Sequence, residues 1–342
     1  MATIRDIALA CGVCPSVVSY VINNSRPVAP KTRQKILDAM REMDYHPSAL
    51  ARGLSRKKMN LIGVIFSRIF STPLTNPFFG PILDGIVSTG MDRQQATAFF
   101  TWPTWEEIEA NHQVYCDGRV DGLILIAPNL ESNIIATLQR RKIPFVVVAQ
   151  TVQNDDVASI DIDNIGAARE ATNHLLMLGH RRIAMVSGDT WAAGVQDRIA
   201  GFRQAMAGVG IPVDEDLVCE SSFSLQTISA SLGRLLSLPA TRRPTAIFFG
   251  NDELALTAMK QLKERGTRIP EDMSIVGFDD ITAAVTSIPS LTTIRQPLNV
   301  FGQMAVTTLL RQLENGAAPK FSNELLEAKF VVRESTAPLK KC

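Results

Sequence analysis

Long apolar runs, a signal-like N-terminus and a regular cysteine framework are all missing from this 342-residue chain. No apolar run approaches the roughly 18 residues that a membrane helix needs. The N-terminal MATIRDIALA has no basic segment followed by an apolar core, so it predicts no secretory signal. The five cysteines are irregularly spaced, which is typical of a reducing compartment. We therefore expect a cytoplasmic protein that does not contact membranes.

The motifs of several enzyme classes are absent as well. The chain has no GxxxxGK[ST] phosphate loop, no GxSxG elbow and no HExxH helix. Gly208-Val-Gly210 lacks the third glycine of a dinucleotide fingerprint and follows a predicted helix, whereas that fingerprint follows a strand. These absences predict a protein that is not an enzyme and needs no cofactor.

The composition and the charge distribution indicate two different parts. Hydrophobic residues make up 46% of the chain, enough for a packed core, and the length suggests two domains. Residues 1–60 contain ten Lys and Arg against four Asp and Glu, a net charge of +6, whereas the rest of the chain carries −5. A small basic module on a mildly acidic body is typical of a nucleic-acid reader joined to a second function.

The basic module has the pattern of three short helices. Thr3-Ile-Arg-Asp6 fits a capping box, and Gly12 can adopt the left-handed turn that ends a first helix. Pro15 suits the first turn of a second helix, which runs to about Asn23, and Pro30 opens a third. Two helices joined by a tight turn predict a helix-turn-helix whose second helix enters the DNA major groove. The apolar residues predicted to pack inside it are Ile4, Ile7, Ala8, Cys11, Val13, Val17, Val18, Val21, Ile22, Ile36, Leu37, Met40 and Met43.

Cys11-Gly-Val-Cys14 could also be a redox pair or half of a zinc site. A structural zinc site needs two further ligands at suitable spacing, and the nearby sequence offers only His46. We therefore predict no metal, with Cys11 in the core and Cys14 at a poorly capped helix start.

Residues 3–54 resemble the headpiece of the LacI/GalR family of bacterial repressors almost position for position. The resemblance implies that Pro15, Ser16 and Tyr20 face bases. Tyr20 stands where the family often carries a cation, so the base preference stays open. Candidates for phosphate and sugar contacts are Thr3, Ser19, Asn23 and Arg33.

Residues 47–60 resemble the hinge of the same family. A helix of about eight residues, Pro47–Leu54, cannot repay its nucleation cost alone, so we expect its order to depend on DNA. In the family this helix enters the minor groove, and Leu54 matches the side chain that wedges between base steps. Gly53 departs from the usual Ser or Ala and should weaken the helix by ~0.5–1 kcal/mol. The DNA contacts implied here are Ser48, Ala51, Arg52, Leu54 and Lys57.

Short β-branched runs alternate with helical stretches through residues 61–342, which predicts parallel sheets covered on both faces. The strand candidates are Leu61–Phe66, Thr97–Thr101, Gly122–Ile126, Phe145–Ala149, Ser159–Ile162, Arg182–Val186, Val218–Ser221, Ala246–Phe249 and Ser274–Phe278. Nine strands exceed one small sheet, so we expect two lobes, with ligands at the carboxyl ends of the strands.

Seven short motifs in family order make this part similar to the effector domain of LacI/GalR regulators and to periplasmic sugar-binding proteins. They are Asn76-Pro-Phe-Phe79, Arg119–Ile124, Leu178–Ile183, Arg198–Phe202, Gly250-Asn-Asp252, Val276–Asp280 and Leu291–Pro297. The resemblance implies effector contacts from Phe78, Phe79, Gln150, Trp191, Arg198, Phe223, Asn251 and Asp279.

The nature of the effector stays open at this point. A guanidinium and a carboxylate facing across a dry crevice suit a sugar. An ion pair of Arg198 and Asp279 between lobes, without a ligand, is the less favoured alternative. The family often ends its fourth strand with an Asp, where this chain has Ala149 followed by Gln150. All three tryptophans lie in predicted loops near the crevice, and any of them could be a ligand platform.

The expected fold is α/β, with an all-α helix-turn-helix headpiece followed by a two-lobed periplasmic-binding-protein-like domain with parallel sheets. We expect a DNA-binding domain at 1–46, a hinge at 47–60 and an effector domain at 61–342. Its first lobe should comprise about 61–161 and 292–319, and its second about 162–291 and 320–336. The expected function is a ligand-responsive transcriptional regulator that binds an operator as a homodimer, since the C-terminus lacks a heptad run. A solute-binding protein and a sugar-processing enzyme are the disfavoured alternatives.

Overall fold

The computed structural model describes residues 2–46, 58–67, 75–154, 156–222, 224–315 and 323–340. Two compact units can be distinguished, the first comprising residues 1–61 and 115–121 and the second residues 62–114 and 122–342. The assignment of residues 115–121 to the first unit differs from the expectation that residues 61–342 form one domain. Its Asp121 accepts a hydrogen bond from the Met59 amide at 2.6 Å, and the Asp121 amide donates to the Leu61 carbonyl at 2.8 Å.

Three helices form the N-terminal part of the first unit: α1 (Ile4–Cys11), α2 (Pro15–Asn23) and α3 (Pro30–Glu42). The predicted capping box is present, because Thr3 and Asp6 exchange hydrogen bonds between side chain and backbone in both directions. Gly12 has φ +66° and ends α1 in the left-handed conformation. Cys14 makes no side-chain cap to α2, as its position at the helix start predicted.

The core of this helical part consists of Ile7, Ala8, Cys11, Val18, Val21 and Ile36, with the other predicted apolar side chains packed around them. Met43 is the exception. It follows the last residue of α3 and is 37% exposed, so its prediction as a core residue is wrong. Tyr45 packs against the cluster instead.

A six-stranded sheet forms the first lobe of the second unit, in the order β11-β5-β4-β3-β1-β2. Its strands are β1 (Leu61–Ser67), β2 (Ala96–Trp102), β3 (Gly122–Ile126), β4 (Phe145–Val148), β5 (Ala158–Ile162) and β11 (Asn323–Leu326). The pairs β1–β3, β3–β4, β4–β5 and β5–β11 are parallel. The helices that accompany it are α4 (Phe79–Asp92), α5 (Trp105–Ala110) and α6 (Ile134–Arg140), with a 3₁₀ turn at His112–Val114.

A four-stranded parallel sheet, β7-β6-β8-β9, forms the second lobe. Its strands are β6 (Ile183–Val186), β7 (Val218–Cys219), β8 (Ala246–Phe249) and β9 (Ser274–Val276). The helices of this lobe are α7 (Asn164–Met177), α8 (Ala193–Gly208), α9 (Leu225–Ser237), α10 (Asp252–Glu264) and α11 (Thr282–Thr286), with a 3₁₀ turn at Glu215–Leu217. All nine predicted strands are present, although β7 and β9 end two residues earlier than expected.

The C-terminal part of the chain contains the elements that the sequence pattern missed. β10 (Thr293–Arg295) and β12 (Lys329–Val331) form a two-stranded antiparallel sheet, and α12 (Leu298–Asn315) packs on α4 and on the first sheet. The expectation that residues 320–336 belong to the second lobe is wrong for β11, which pairs with β5 at the edge of the first sheet. Its sequence NELL has no alternation of polar and apolar residues and so gave no strong strand signal, and only pairing with β5 makes it a strand.

Helices α4 and α12 approach each other backbone to backbone. A Cβ on Gly85 would lie far inside van der Waals contact with the Asn299 carbonyl, and one on Gly302 would meet the Ile82 carbonyl in the same way. Close packing of this kind needs residues without a side chain on both helices.

No single described helix is long and apolar enough to cross a membrane. Helices α1 and α2 taken together have the length and composition of a membrane span, but the chain bends by 108° between them.

Gly85→Ala should lower the free energy of unfolding by about 1–3 kcal/mol, because the new methyl group forces α4 and α12 apart. Gly233→Ala is the matched control, since Gly233 lies in α9 with open space around its Cα, and there the change should raise stability by about 0.5–1 kcal/mol. Urea denaturation of the two variants measures both effects. Equal stability of the two variants would contradict the close helix contact.

Candidate functional sites

Helix α2 presents a small polar face. Pro15 and Ser16 are exposed in its first turn, as expected of residues that face bases. Ser19 is half-buried and its hydroxyl accepts a hydrogen bond from the Asn23 amide at 3.2 Å. At the start of α1, the exposed Thr3 is engaged with Asp6. The structure thus places these predicted contacts on two neighbouring helix starts and along α2.

Tyr20 has a neighbour that the sequence did not reveal. The guanidinium of Arg26, in the loop after α2, lies over the Tyr20 ring at 5.1 Å from its centroid. Arg33, in the first turn of α3, donates to the Asn24 side-chain oxygen at 3.1 Å. Because α2 itself contains no charged residue, the positive charge beside it comes from flanking residues. The lack of charge in α2 was the sequence signal that could have pointed to Arg26. The predicted contacts Ser48, Ala51, Arg52, Leu54 and Lys57 lie outside the described residues.

A cavity of about 100 Å³ lies between the two lobes of the second unit. The loops around it follow β1, β3 and β4 of the first sheet and β6, β8 and β9 of the second, so the cavity is at the carboxyl ends of strands in both lobes. Its lining comprises Asn76, Phe78, Phe79, Ala127, Ala149, Gly188, Asp189, Trp191, Ala192, Gly194, Val195, Arg198, Asn251, Glu253 and Asp279.

Asn76 organises the first-lobe wall of this cavity. Its side-chain oxygen accepts hydrogen bonds from the amides of Phe78 at 2.9 Å and Phe79 at 3.1 Å, which fixes the start of α4. The two phenyl rings meet edge to face, with centroids 5.4 Å apart. The Asn76 amide nitrogen donates to Glu253 of the second lobe at 3.2 Å. This side chain therefore both shapes the aromatic wall and joins the lobes.

Arg198 of α8 is buried at the base of the cavity. Its Nε donates to the Asn164 side-chain oxygen at 3.0 Å and its Nη1 to the Gly250 carbonyl at 2.6 Å. The guanidinium stacks on the Phe278 ring, 3.8 Å from its centroid. Burial lowers the pKa of Arg198, and the first of the neighbouring carboxylates that oppose this shift is Asp279. The cation is thus held by two hydrogen bonds and a ring contact, which use two of its five N–H donors.

Asp279 faces Arg198 at 4.0 Å and accepts a hydrogen bond from Gln296 at 2.7 Å. Its backbone has φ +118°, a conformation rare for a residue with a side chain and typical of a strained functional position. Burial raises the pKa of Asp279 to about 7, against the opposing effects of Arg198 and Gln296. Arg198 and Asp279 are therefore ion-pair partners and lining residues of the cavity at the same time.

Asn251 lies at the N-terminus of α10, where its side-chain oxygen accepts from the Leu254 amide at 2.8 Å. The adjacent Asp252 is fully buried and binds the Thr293 hydroxyl at 2.6 Å and the Ile281 amide at 2.9 Å. Burial raises its pKa well above the usual range. This pair connects the cavity to the segments that cross between the lobes.

Six of the eight predicted effector contacts line the cavity, namely Phe78, Phe79, Trp191, Arg198, Asn251 and Asp279. Gln150 is not among the lining residues, although the preceding Ala149, with φ +60°, is, and the Gln150 side chain is buried. Phe223 lies outside the described residues. Of the tryptophans, Trp191 lines the cavity, Trp105 is buried in the core at the start of α5, and Trp102 ends β2.

Three polar lining residues were not among the predicted effector contacts: Asn76, Asp189 and Glu253. Asn76 is the first residue of the Asn76-Pro-Phe-Phe79 motif, and its place in that motif could have indicated that it lines the cavity. Asp189 and Glu253 follow β6 and β8, and their place after strands of one sheet could have indicated them.

The raised pKa of Asp279 predicts a pH dependence of stability. A carboxyl that binds its proton more tightly when folded makes the free energy of unfolding fall as pH rises between its usual pKa of 3.8 and about 7. Asp279→Asn removes the contribution of this carboxyl to the pH dependence. Urea denaturation at about pH 5 and about pH 8 should therefore show that the variant loses less stability between the two pH values than the unmodified protein. An equal loss in the variant and the unmodified protein would contradict the buried, proton-binding Asp279.

Comparisons with known proteins agree with this architecture. Residues 3–48 match the family described as bacterial regulatory proteins, lacI family, and residues 172–336 match the periplasmic binding protein-like domain. The transcriptional repressor PurR of Vibrio cholerae is 35% identical over 92% of each chain.

Two solved structures are also similar along nearly the whole chain. The lac repressor dimer bound to operator and the anti-inducer ONPF has a TM-score of 0.83 at 29% identity, covering 98% of this chain and 99% of that one. The complex of the transcriptional regulator CelR with cellobiose has a TM-score of 0.75 at 28% identity, covering 98% and 100%. These similarities confirm the expected fold class. The chain belongs to the LacI family of bacterial regulatory proteins, which are transcriptional regulators and not enzymes.

Proposed function

We propose that this regulator is a repressor that binds a pseudo-palindromic operator as a homodimer and changes its DNA affinity when a sugar occupies the cavity between its lobes. The observation that carries the proposal is the cavity itself, with aromatic walls and the buried Arg198–Asp279 pair, in the same chain as a basic helix-turn-helix. PurR is named a repressor, and the lac repressor is a dimer on its operator, which supports the same assignment here.

For the DNA, we assign base readout to Pro15, Ser16 and Tyr20, whose side chains lie along one helix. Ser16 and Tyr20 are four residues apart and share a face of α2. The Tyr20 ring can contact a thymine methyl group and its hydroxyl can donate or accept. Arg26, held over that ring, adds the positive charge that α2 lacks. Phosphate and sugar contacts are proposed for Thr3, Ser19, Asn23 and Arg33, and phosphate contacts for the hinge residues Arg52 and Lys57. Leu54 is proposed to wedge between base steps in the minor groove, with Ser48 and Ala51 as further DNA contacts.

For the effector, the lining chemistry favours a polyhydroxylated ring. Phe78, Phe79 and Trp191 offer apolar faces for the C–H side of a sugar, while Asn251 and Asp279 offer amide and carboxylate groups for its hydroxyls. CelR, which is similar along the whole chain, is solved with cellobiose. Because Ala149 lacks a polar group, a metabolite of another class is the second candidate.

Two contacts across the crevice suggest how occupancy reaches the rest of the molecule. Asn76 donates to Glu253, and the Leu130 amide donates to the Trp191 carbonyl at 3.2 Å. A ligand bound among Asn76, Trp191 and Glu253 changes the free energy of lobe closure, and so biases the equilibrium between lobe arrangements. The disfavoured alternatives, a solute-binding protein and a sugar-processing enzyme, give no role to the helix-turn-helix.

Arg33→Gln should weaken operator binding and reduce the slope of log affinity against log salt by about 1, because one phosphate contact is lost. Arg41→Gln is the matched control on the same helix, since Arg41 pairs with Asp38 and has no predicted DNA contact. The operator can be selected from randomised palindromic DNA and affinities measured by mobility shift between about 50 and 200 mM salt. Equal slopes for the two variants would contradict the assignment of Arg33.

A sugar that binds the cavity should raise the melting temperature of the unmodified protein, and Trp191→Ala should abolish that rise because one aromatic wall is removed. Met177→Ala is the control, as Met177 is an exposed apolar residue outside the cavity. A thermal-shift panel of neutral, amino and phosphorylated sugars measures this, with mobility shifts on the selected operator for each positive compound. A rise that persists in Trp191→Ala, or a panel without any positive, would contradict a sugar effector in this cavity.

A further inference from the structure

The cavity between the lobes has an excess of negative charge. Among the residues that the structure describes, its lining contains the carboxylates Asp189, Glu253 and Asp279 and a single cation, Arg198. Even with Asp279 protonated, two carboxylates remain against one guanidinium. An anion entering this space meets more repulsion than attraction.

Arg198 does not offset this excess toward a ligand. Two of its nitrogens already donate to Asn164 and Gly250, and Phe278 covers one face of its guanidinium. Its charge interacts with four carboxylates, those of Asp279, Asp161, Asp197 and Asp252. Because two of its donors, one face and much of its charge are engaged within the protein, Arg198 attracts a phosphate or carboxylate of a ligand less strongly than an unengaged arginine would.

Glu253 and Asp189 have no such compensation. Glu253 is half-buried and accepts one hydrogen bond, from the neutral Asn76, and no described Lys, Arg or His pairs with either carboxylate. Burial raises the pKa of both groups, and the nearby Glu220 adds to the effect on Asp189. Burying a carboxylate without a counter-charge is costly, so the site favours a ligand that brings a cation.

The walls of the cavity suit the same ligand. Phe78, Phe79 and Trp191 present aromatic rings, and an ammonium group over an aromatic face gains electrostatic attraction in addition to its pairing with a carboxylate. The same rings accept the apolar face of a saturated ring.

We propose that the effector is a polyhydroxylated ring bearing a protonated amine, an amino sugar being the simplest member of the class, and that Glu253 and Asp189 determine this specificity. The inference rests on the proposed function, because it names the ligand class of the same cavity.

The test can be run before the compound is identified. A soluble metabolite extract is separated by ion exchange into cationic, neutral and anionic fractions, and each is added to the full-length protein in thermal-shift and operator mobility-shift assays. We expect the cationic fraction to raise the melting temperature and to change operator affinity, and acetylation of its amines to remove both effects. Activity confined to the neutral or anionic fraction overturns the proposal that the effector bears a protonated amine and leaves the proposed function standing. Inactivity of the whole extract overturns both.

The residues are tested with the active cationic fraction. Glu253→Gln and Asp189→Asn keep the side-chain shape and remove the charge, and each should raise the amount needed for half-maximal thermal shift by tenfold or more. Glu264→Gln is the control, because Glu264 lies exposed at the end of the same helix, α10, outside the cavity. Equal potency toward Glu253→Gln, Asp189→Asn and Glu264→Gln overturns the assignment of these carboxylates. Defined probes, glucosamine against N-acetylglucosamine, repeat the comparison with one pair of compounds that differ in charge.

Discussion

The buried guanidinium of Arg198 is the constraint on which the second unit depends. A cation removed from water must be surrounded by acceptors and negative charge, and here these come from separate parts of the chain. Asn164 lies at the start of α7, Gly250 after β8, and Asp279 after β9. Since Asn164 also binds Asp161 at the end of β5, with both donor contacts at 3.2 Å, the network reaches the segment that enters the second lobe from the first.

This arrangement links ligand recognition to the crossings between the lobes. Asp279 takes part in the cavity lining and receives the Gln296 amide from the segment before α12. The next residue, Asp280, binds Arg295 and Arg333 at 2.6 Å each, which ties together two further crossing segments. Asp279 and Asp280 therefore connect the cavity lining to the segments that cross between the lobes.

Most of the fold could be predicted from local signals. The capping box at Thr3, the Gly12 turn and the prolines at the starts of α2 and α3 act within a few residues of chain, and the structure has all of them. The buried β-branched runs identified nine strands for the same reason. The strand β11 was not predicted because its residues carry no local strand pattern. Met43 was wrongly predicted to lie in the core because the helical spacing of apolar residues continues past the end of α3.

The candidate site was predictable only where motif and position coincide, as for Arg198, Asn251 and Asp279. Gln150, which was predicted as an effector contact, is not among the lining residues, whereas its neighbour Ala149, with a positive φ, is. The sequence by itself determined the helical reader and the two parallel sheets, since these follow from spacing and charge along the chain, and its resemblance to the LacI/GalR family indicated the family. Only the tertiary structure decided that Asp189 and Glu253 line the cavity and that Asn164, Gly250 and Phe278 engage Arg198. Those facts depend on which distant side chains share one desolvated space, and no local pattern encodes that.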